Sequence, residues 1–250
     1  MTAQIHSEEA YYFADDIDTL LNQLQKNKFK HFDIEIKIQK SKTERFSYER
    51  KNDTLLMVFT PEYVQHYYFD KQSKNYQPLD SLFRPYTFPN LFTVRKDSAN
   101  FRVVYLYEIK QDTTFQQYIR SKTDTKDRFV YSYVFNPQSK SGQEIECIYL
   151  NDSTVITKNS IFDSNHRQLL SNDTTTTSAF SSGNTKTIKQ NSKTLNGTMD
   201  KEPQYFSTTS TSTKTLKYDE KGRIIFVTYV AKASDSRQEK ATMKVIFRNN

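Results

Sequence analysis

The chain has 250 residues and a formal net charge of +7; 35% of it is hydrophobic, 26% charged and 14% aromatic, the rings being 17 Tyr and 18 Phe. Aromatic side chains bury large areas and favour strands, so this composition excludes a disordered chain and suffices for one large β core or two small ones. The four glycines, Gly142, Gly183, Gly197 and Gly222, stand alone, and Cys147 is the single cysteine, which argues against glycine-rich phosphate loops, an intrachain disulfide and a cysteine-built zinc site.

The start, Met1-Thr2-Ala3-Gln4-Ile5, reads as the junction behind a removed bacterial secretion leader, which places the protein in the periplasm or at the cell surface; an ordinary cytosolic start is the other reading. Residues 8 to 26 set Ala10, Phe13, Ile17, Leu20, Leu21 and Leu24 at helical spacing behind Ser7 as N-cap, predicting an amphipathic helix. Asp15, Asp16 and Asp18 complement the dipole in its first half. The period then becomes two: Phe32, Ile34, Ile36 and Ile38 alternate with Asp33, Glu35, Lys37 and Gln39, the pattern of a half-buried strand. Further strands are predicted over 44–50, 54–60 and 63–70, with turn residues such as Lys51-Asn52-Asp53 between them.

Residues 76 to 94 hold three of the six prolines, Pro78, Pro85 and Pro89. Proline bars a regular helix or central strand, so this stretch reads as a long connection unusually rich in large apolar side chains. Leu82, Phe83, Tyr86, Phe88, Leu91 and Phe92 are the candidate contact residues: they plug one end of the sheet, or they form a lid or a patch for a partner.

Residues 101 to 110 are apolar on both faces, with Phe101, Val103, Tyr105 and Tyr107 against Val104 and Leu106, which predicts a central strand with the helix as one cover. Strands follow over 128–135, 144–150, 154–162, 205–217, 223–232 and 241–248, and the short connections argue for an antiparallel meander. Cys147 shares a strand face with Ile145 and Tyr149 and reads as an inert, buried small hydrophobe. From Ser171 to Thr215 the chain is dominated by Thr, Ser, Asn and Lys, the composition of long wet hairpins or of a linker.

Several short patterns resemble known ones. Tyr218-Asp219-Glu220-Lys221-Gly222-Arg223-Ile224-Ile225 resembles the hairpin repeats of bacterial YD-type surface proteins, with Phe162-Asp163 through Leu169 as a second copy and Phe69-Asp70 with Lys74 as a poorer third. Asp opens such a turn by bonding the backbone, and Gly222 accepts positive φ. The helix, the regular strands and Met57-Val58-Phe59-Thr60-Pro61-Glu62, over roughly residues 8 to 94, resemble the helix-plus-curved-sheet carriers of the lipoprotein-localisation class, which hold acyl chains in an open half-barrel. Asp18-Thr19-Leu20, Asp53-Thr54-Leu55, Asp80-Ser81-Leu82, Asp97-Ser98-Ala99 and Asp112-Thr113-Thr114 resemble the periplasmic O-glycosylation motif of one group of Gram-negative bacteria.

Residues that could carry chemistry are scattered. His6, His31, His66 and His166 lack metal-ligand spacing. Asp33 with Glu35, and Glu144 with Glu146, place paired carboxylates on a strand face, where the wet side of a half-buried strand accounts for them. Lys and Arg are spread along the chain without a nucleic-acid motif, so no nucleic acid is expected, while contact with an anionic membrane or an acidic partner fits the charge. The expectation is a single mainly-β domain over 1–250, a curved antiparallel meander sheet, half-barrel or sandwich-like, packed on one N-terminal helix, with a looser sheet region over 171–215. It is expected to be a non-enzymatic binding or protein-interaction module of the bacterial cell envelope, without a cofactor, whose partner is another envelope protein. The alternative is a periplasmic carrier of a lipid or other apolar ligand.

Overall fold

The computed structural model describes residues 12–26, 29–60, 64–70, 75–79, 91–98, 101–109, 113–136, 141–163, 169–197, 204–234 and 238–248. One helix, α1 (Ala14–Gln25), precedes β1 (His31–Ile38), β2 (Glu44–Arg50), β3 (Leu55–Phe59), β4 (Val64–Asp70), β5 (Asn75–Pro78), β6 (Leu91–Ser98), β7 (Phe101–Ile109) and β8 (Thr113–Thr123). The second half continues with β9 (Phe129–Asn136), β10 (Ser141–Asn151), β11 (Thr154–Asp163), β12 (Leu169–Ser182), β13 (Thr185–Gly197), β14 (Tyr205–Tyr218), β15 (Ile224–Ala233) and β16 (Gln238–Phe247). All form one antiparallel sheet in the order β5-β4-β3-β2-β1-β16-β15-β14-β13-β12-β11-β10-β9-β8-β7-β6. The meander is open. Its first and last strands pair in the interior, Ile34 opposite Val245 and Ile36 opposite Met243, and its edges are β5 and β6, neighbours in sequence.

That order forces curvature. Laid flat, sixteen strands would hold the edges about 72 Å apart at about 4.8 Å per step. The eleven residues between Leu79 and Leu91 let the chain span about 43 Å at most. The helix shows which way the sheet bends, because it is tied to strands far apart in the order. Tyr76 on β5 donates to Gln25 Oε1 at 2.7 Å, and Lys214 on β14 donates to Asp16 at 2.9 Å. The sheet wraps the helix, which leaves the opposite face convex and uncovered.

The core lies under α1. Phe13, Leu20 and Leu24 are fully buried against Phe32, Ile34, Ile36, Tyr48, Leu56, Val227 and Met243, so the alternation read in β1 and the helical stripe meet as expected. The Phe32 and Tyr48 rings stack with centroids 4.6 Å apart. Ser7 and Ala10 lie outside the described residues, and Phe13 at the N-cap makes no side-chain cap bond. At the other end the sheet adds a bond to the last turn: Arg50 Nη1 donates to Leu24 O at 3.3 Å.

Several expectations need correction. The stretch 76–94 is not wholly a connection, because it overlaps both edge strands, and Pro78 sits where an edge tolerates it. β7 is next to an edge, not central, and its described side chains, residues 101–105, remain partly or fully exposed. The helix covers β1–β5 and β14–β16 instead. Hydrophobic pattern does not predict β8, β12 or β13. The Ser/Thr-rich stretch forms β12, β13 and most of β14, paired throughout from Ser182 opposite Thr185 to Gly197 opposite Tyr205.

The Tyr218 to Ile225 hairpin is present as read. Asp219 Oδ1 accepts the Lys221 and Arg223 amides at 2.9 Å each, Arg223 Nε returns to Asp219 Oδ2 at 2.7 Å, and Gly222 has φ of +70°. Its twin is Lys122-Thr123-Asp124-Thr125-Lys126-Asp127-Arg128, while most of the copy proposed after Phe162 falls outside the described residues. Asp124 accepts the amides of Lys126 and Arg128, Arg128 Nε bonds back at 2.8 Å, and Asp127 takes the positive-φ position at +56°. Each hairpin follows a bulge, and each arginine lies 4.1 Å from a ring two strands on, Tyr149 and Phe247. Desolvation pushes the Asp219 carboxyl up, but the bonds from Arg223 outweigh it and hold it below the usual range. A Cβ at Gly222 would meet nothing within 4 Å, so Gly222→Val is expected to lose about 1 kcal/mol from backbone strain alone, read as a lower urea midpoint.

Candidate functional site

The convex face over β7–β9 carries a strip of aromatic rings. The register stacks Tyr105 opposite Tyr118 and Tyr118 opposite Phe135, with Arg120 opposite Tyr133 and Lys122 opposite Tyr131. Period-two alternation puts these on one side of three adjacent strands, β7–β9. The Tyr105 and Tyr118 centroids are 5.3 Å apart, Tyr118 and Tyr133 6.2 Å, and Phe101 and Tyr131 6.2 Å. Arg120 lies over the Phe101 ring at 3.6 Å, with Lys122 at 5.8 Å from the same centroid. The carboxylates are on one flank: Tyr131 donates to Glu144 at 2.8 Å, and Lys158 pairs with Glu146 at 3.1 Å. Desolvation, then the bond and charge of Glu144, push the Tyr131 phenol up to about 12. It therefore stays a donor across the physiological range. An open depression of about 460 Å³ is bounded by Phe101, Arg120, Lys122, Tyr131 and Glu146.

The other sequence candidates resolve into structural roles or fall elsewhere. Asp33 accepts from His31 at 3.1 Å, Arg248 at 2.7 Å and Ser47. Burial raises its carboxyl, and these bonds together lower it below its ordinary range. Glu35 faces Arg45 at 3.0 Å and Lys244 at 4.0 Å. This first carboxylate pair is neutralised by its neighbours. Cys147 shares its face with Ile145 and Tyr149 as expected, yet it is only half-buried, 3.7 Å from the Thr157 hydroxyl, which is a weaker enclosure than the sequence suggested. Among the described residues no group of three or more His, Cys, Asp and Glu could hold a metal ion, and His6 and His166 lie outside them. Of the candidate contact residues, Leu91 and Phe92 begin edge strand β6; Leu82, Phe83, Tyr86 and Phe88 lie outside the described residues. Thr19 sits within α1 and bonds Asp15 O at 2.9 Å, whereas Thr54 is exposed at a hairpin tip.

No protein-family model, curated protein or solved structure matches the chain. No helix among the described residues is long and apolar enough to cross a membrane.

Sequence reasoning missed the strip because it read the rings of β7 as core. The available signal was the same alternation on three segments, Phe101-x-Val103-x-Tyr105, Tyr118-x-Arg120-x-Lys122 and Tyr131-x-Tyr133-x-Phe135. Cations in step with the rings on the middle segment mark that side as wet.

Proposed function

We propose that this protein is a non-enzymatic binding module of the bacterial cell envelope that meets a protein partner through the ring strip on β7–β9. The strip carries the reading: tyrosines and an arginine stacked on a phenylalanine, on a sheet face the helix does not cover, are the side chains that dominate interface energetics. The exposed Asp53 and Thr54 of the Asp53-Thr54-Leu55 tripeptide support the envelope placement. A carrier of an apolar ligand needs an apolar lining, and the concave face is apolar under α1, which fills it there, and again over β7–β11, where Val104, Ile119, Val134, Ile145, Val155 and Ile161 share that face, so the carrier stands as the second reading. Between those two stretches, on β12 and β13, the face is lined with polar groups bonded to each other, such as Thr175 with Ser192 at 2.7 Å and Thr194 with Asp173 at 3.0 Å, so no apolar lining runs unbroken from the helix.

The test is site-specific photo-cross-linking in cells, with p-benzoylphenylalanine at Tyr118. A discrete adduct is expected, and it is expected to disappear when Phe101 and Tyr133 are both replaced with Ser while the melting temperature holds within a few degrees. A protein that yields no discrete adduct at Tyr118 and co-purifies with lipid in native mass spectrometry would reverse the order of the two readings.

A further inference from the structure

The same convex face changes character across β12–β16. These five strands hold eight lysines and two carboxylates. The register sorts them by side. Asp173 and Glu239 lie on the helix face, with Lys186 and Lys214, where Glu239 accepts from Tyr12 and Lys214 holds Asp16. Lys189, Lys193, Lys217, Lys232, Lys240 and Lys244 all lie on the convex face and are exposed. No Asp or Glu stands among them on these strands. Lys244, at the margin, meets Glu35 of β1 at 4.0 Å; the other five make a field that attracts anions.

Between the lysines the surface is made of hydroxyls and amides. Thr176 stands opposite Asn191, which stands opposite Thr211, and Thr213 lies opposite Lys189. Lys189 and Lys193, four residues apart on one strand, are separated by about 13 Å, and neighbouring strands by about 4.8 Å. We propose that this field is a binding surface for an acidic polysaccharide, with lysines taking the carboxylates and the Thr and Asn side chains taking the sugar hydroxyls. Three observations choose this ligand class over other polyanions. The exposed rings within the field, Phe180, with Lys189 at 5.4 Å, and Tyr205, lie at opposite ends of it, about 33 Å apart along the strands, so successive bases of a nucleic acid have no continuous stacking platform. The face is convex, so a planar bilayer would touch few of the lysines at once. The hydroxyl rows also supply directional partners that a polyhydroxyl chain uses and a phosphate surface does not.

The experiment is fluorescence anisotropy with a labelled decameric oligogalacturonate. The comparators are a neutral glucan of equal length, a ten-nucleotide oligo(dT), and phosphatidylglycerol vesicles in a flotation assay. Binding of the oligogalacturonate is expected to weaken as salt rises. It is expected to fall at least tenfold in the Lys189→Ser/Lys193→Ser/Lys232→Ser variant, and several-fold in Thr176→Val/Thr211→Val, which leaves the charge unchanged. If the triple variant does not fold, Lys189→Ser alone carries the charge test. No oligogalacturonate binding, binding unaffected by the lysine substitutions, or equal or tighter binding of oligo(dT) or vesicles would each overturn the assignment. The aromatic strip contributes no residue to these variants, so failure here leaves the protein-partner reading standing.

Discussion

Lys214→Met is expected to destabilise the protein by about 3–5 kcal/mol at neutral pH, with a deficit that shrinks as the solution is acidified. Asp16 is on the buried side of α1, and its side chain is 7% exposed, against 18% for Lys214. Desolvation is the largest influence on this carboxyl and raises it above its ordinary range, while the charge and hydrogen bond of Lys214 pull it down and Asp15 pushes it further up. Removing the ammonium leaves desolvation without its main opponent, so the folded carboxyl rises further. A carboxyl whose folded value exceeds its unfolded value binds protons more tightly when folded. Stability is therefore lost as pH climbs from the ordinary carboxylate value through the raised one, and regained on the way down. The comparison is urea unfolding of wild type and variant at pH 7 and pH 4. The Asp16→Asn/Lys214→Met double variant is expected to recover most of the loss at pH 7, because no uncompensated charge remains buried. A deficit that is the same at both pH values would mean that the ammonium does not act by compensating the Asp16 charge.

The parts of the fold legible in sequence were those where one face is buried. β1 reads cleanly because Phe32, Ile34 and Ile36 are fully enclosed while Asp33 and Glu35 point to the opposite face, among charged partners. α1 reads from the same contrast. β12 and β13 did not, because both faces are polar: Thr174 and Thr176 face outward, Thr175 and Thr177 inward, and period-two reading has nothing to detect. The twin hairpin at Asp124 was hidden for a different reason. Asp127 stands where Gly222 stands in the other copy, and Thr123 replaces the aromatic residue that opens it, so only the Asp, Lys and Arg that make the turn are shared. The candidate site was the least legible part. Whether a ring at Phe101 is core or surface depends on where the helix lies, and the helix position is set by the pairing of β1 with β16, a long-range contact that no local pattern encodes.

The uneven core leads to the last prediction. Every buried hydrophobic side chain among the described residues belongs to Phe13, α1, Phe29, β1–β5 or β14–β16, whereas β11–β13 are held by backbone ladders and hydroxyl pairs. Burial of apolar area is the main source of cooperative stability, so the two regions should open with different free energies. In the wild type, amides of β1, β2, β15 and β16 are expected to exchange far more slowly than those of β12 and β13. Leu20, fully buried between helix and sheet, is the place to test it. Leu20→Ala removes most of a side chain from a site with little room to collapse, and a loss of about 3 kcal/mol is expected. At 1.4 kcal/mol per decade, exchange in β1, β2, β15 and β16 should accelerate by about a hundredfold, while exchange in β12 and β13, which already open by a cheaper local route, should barely change. Hydrogen–deuterium exchange read by mass spectrometry separates the outcomes. Uniform acceleration along the whole chain would mean that the sheet unfolds as a single unit and that its hydroxyl-lined half is as tightly coupled to the helix as the half it touches.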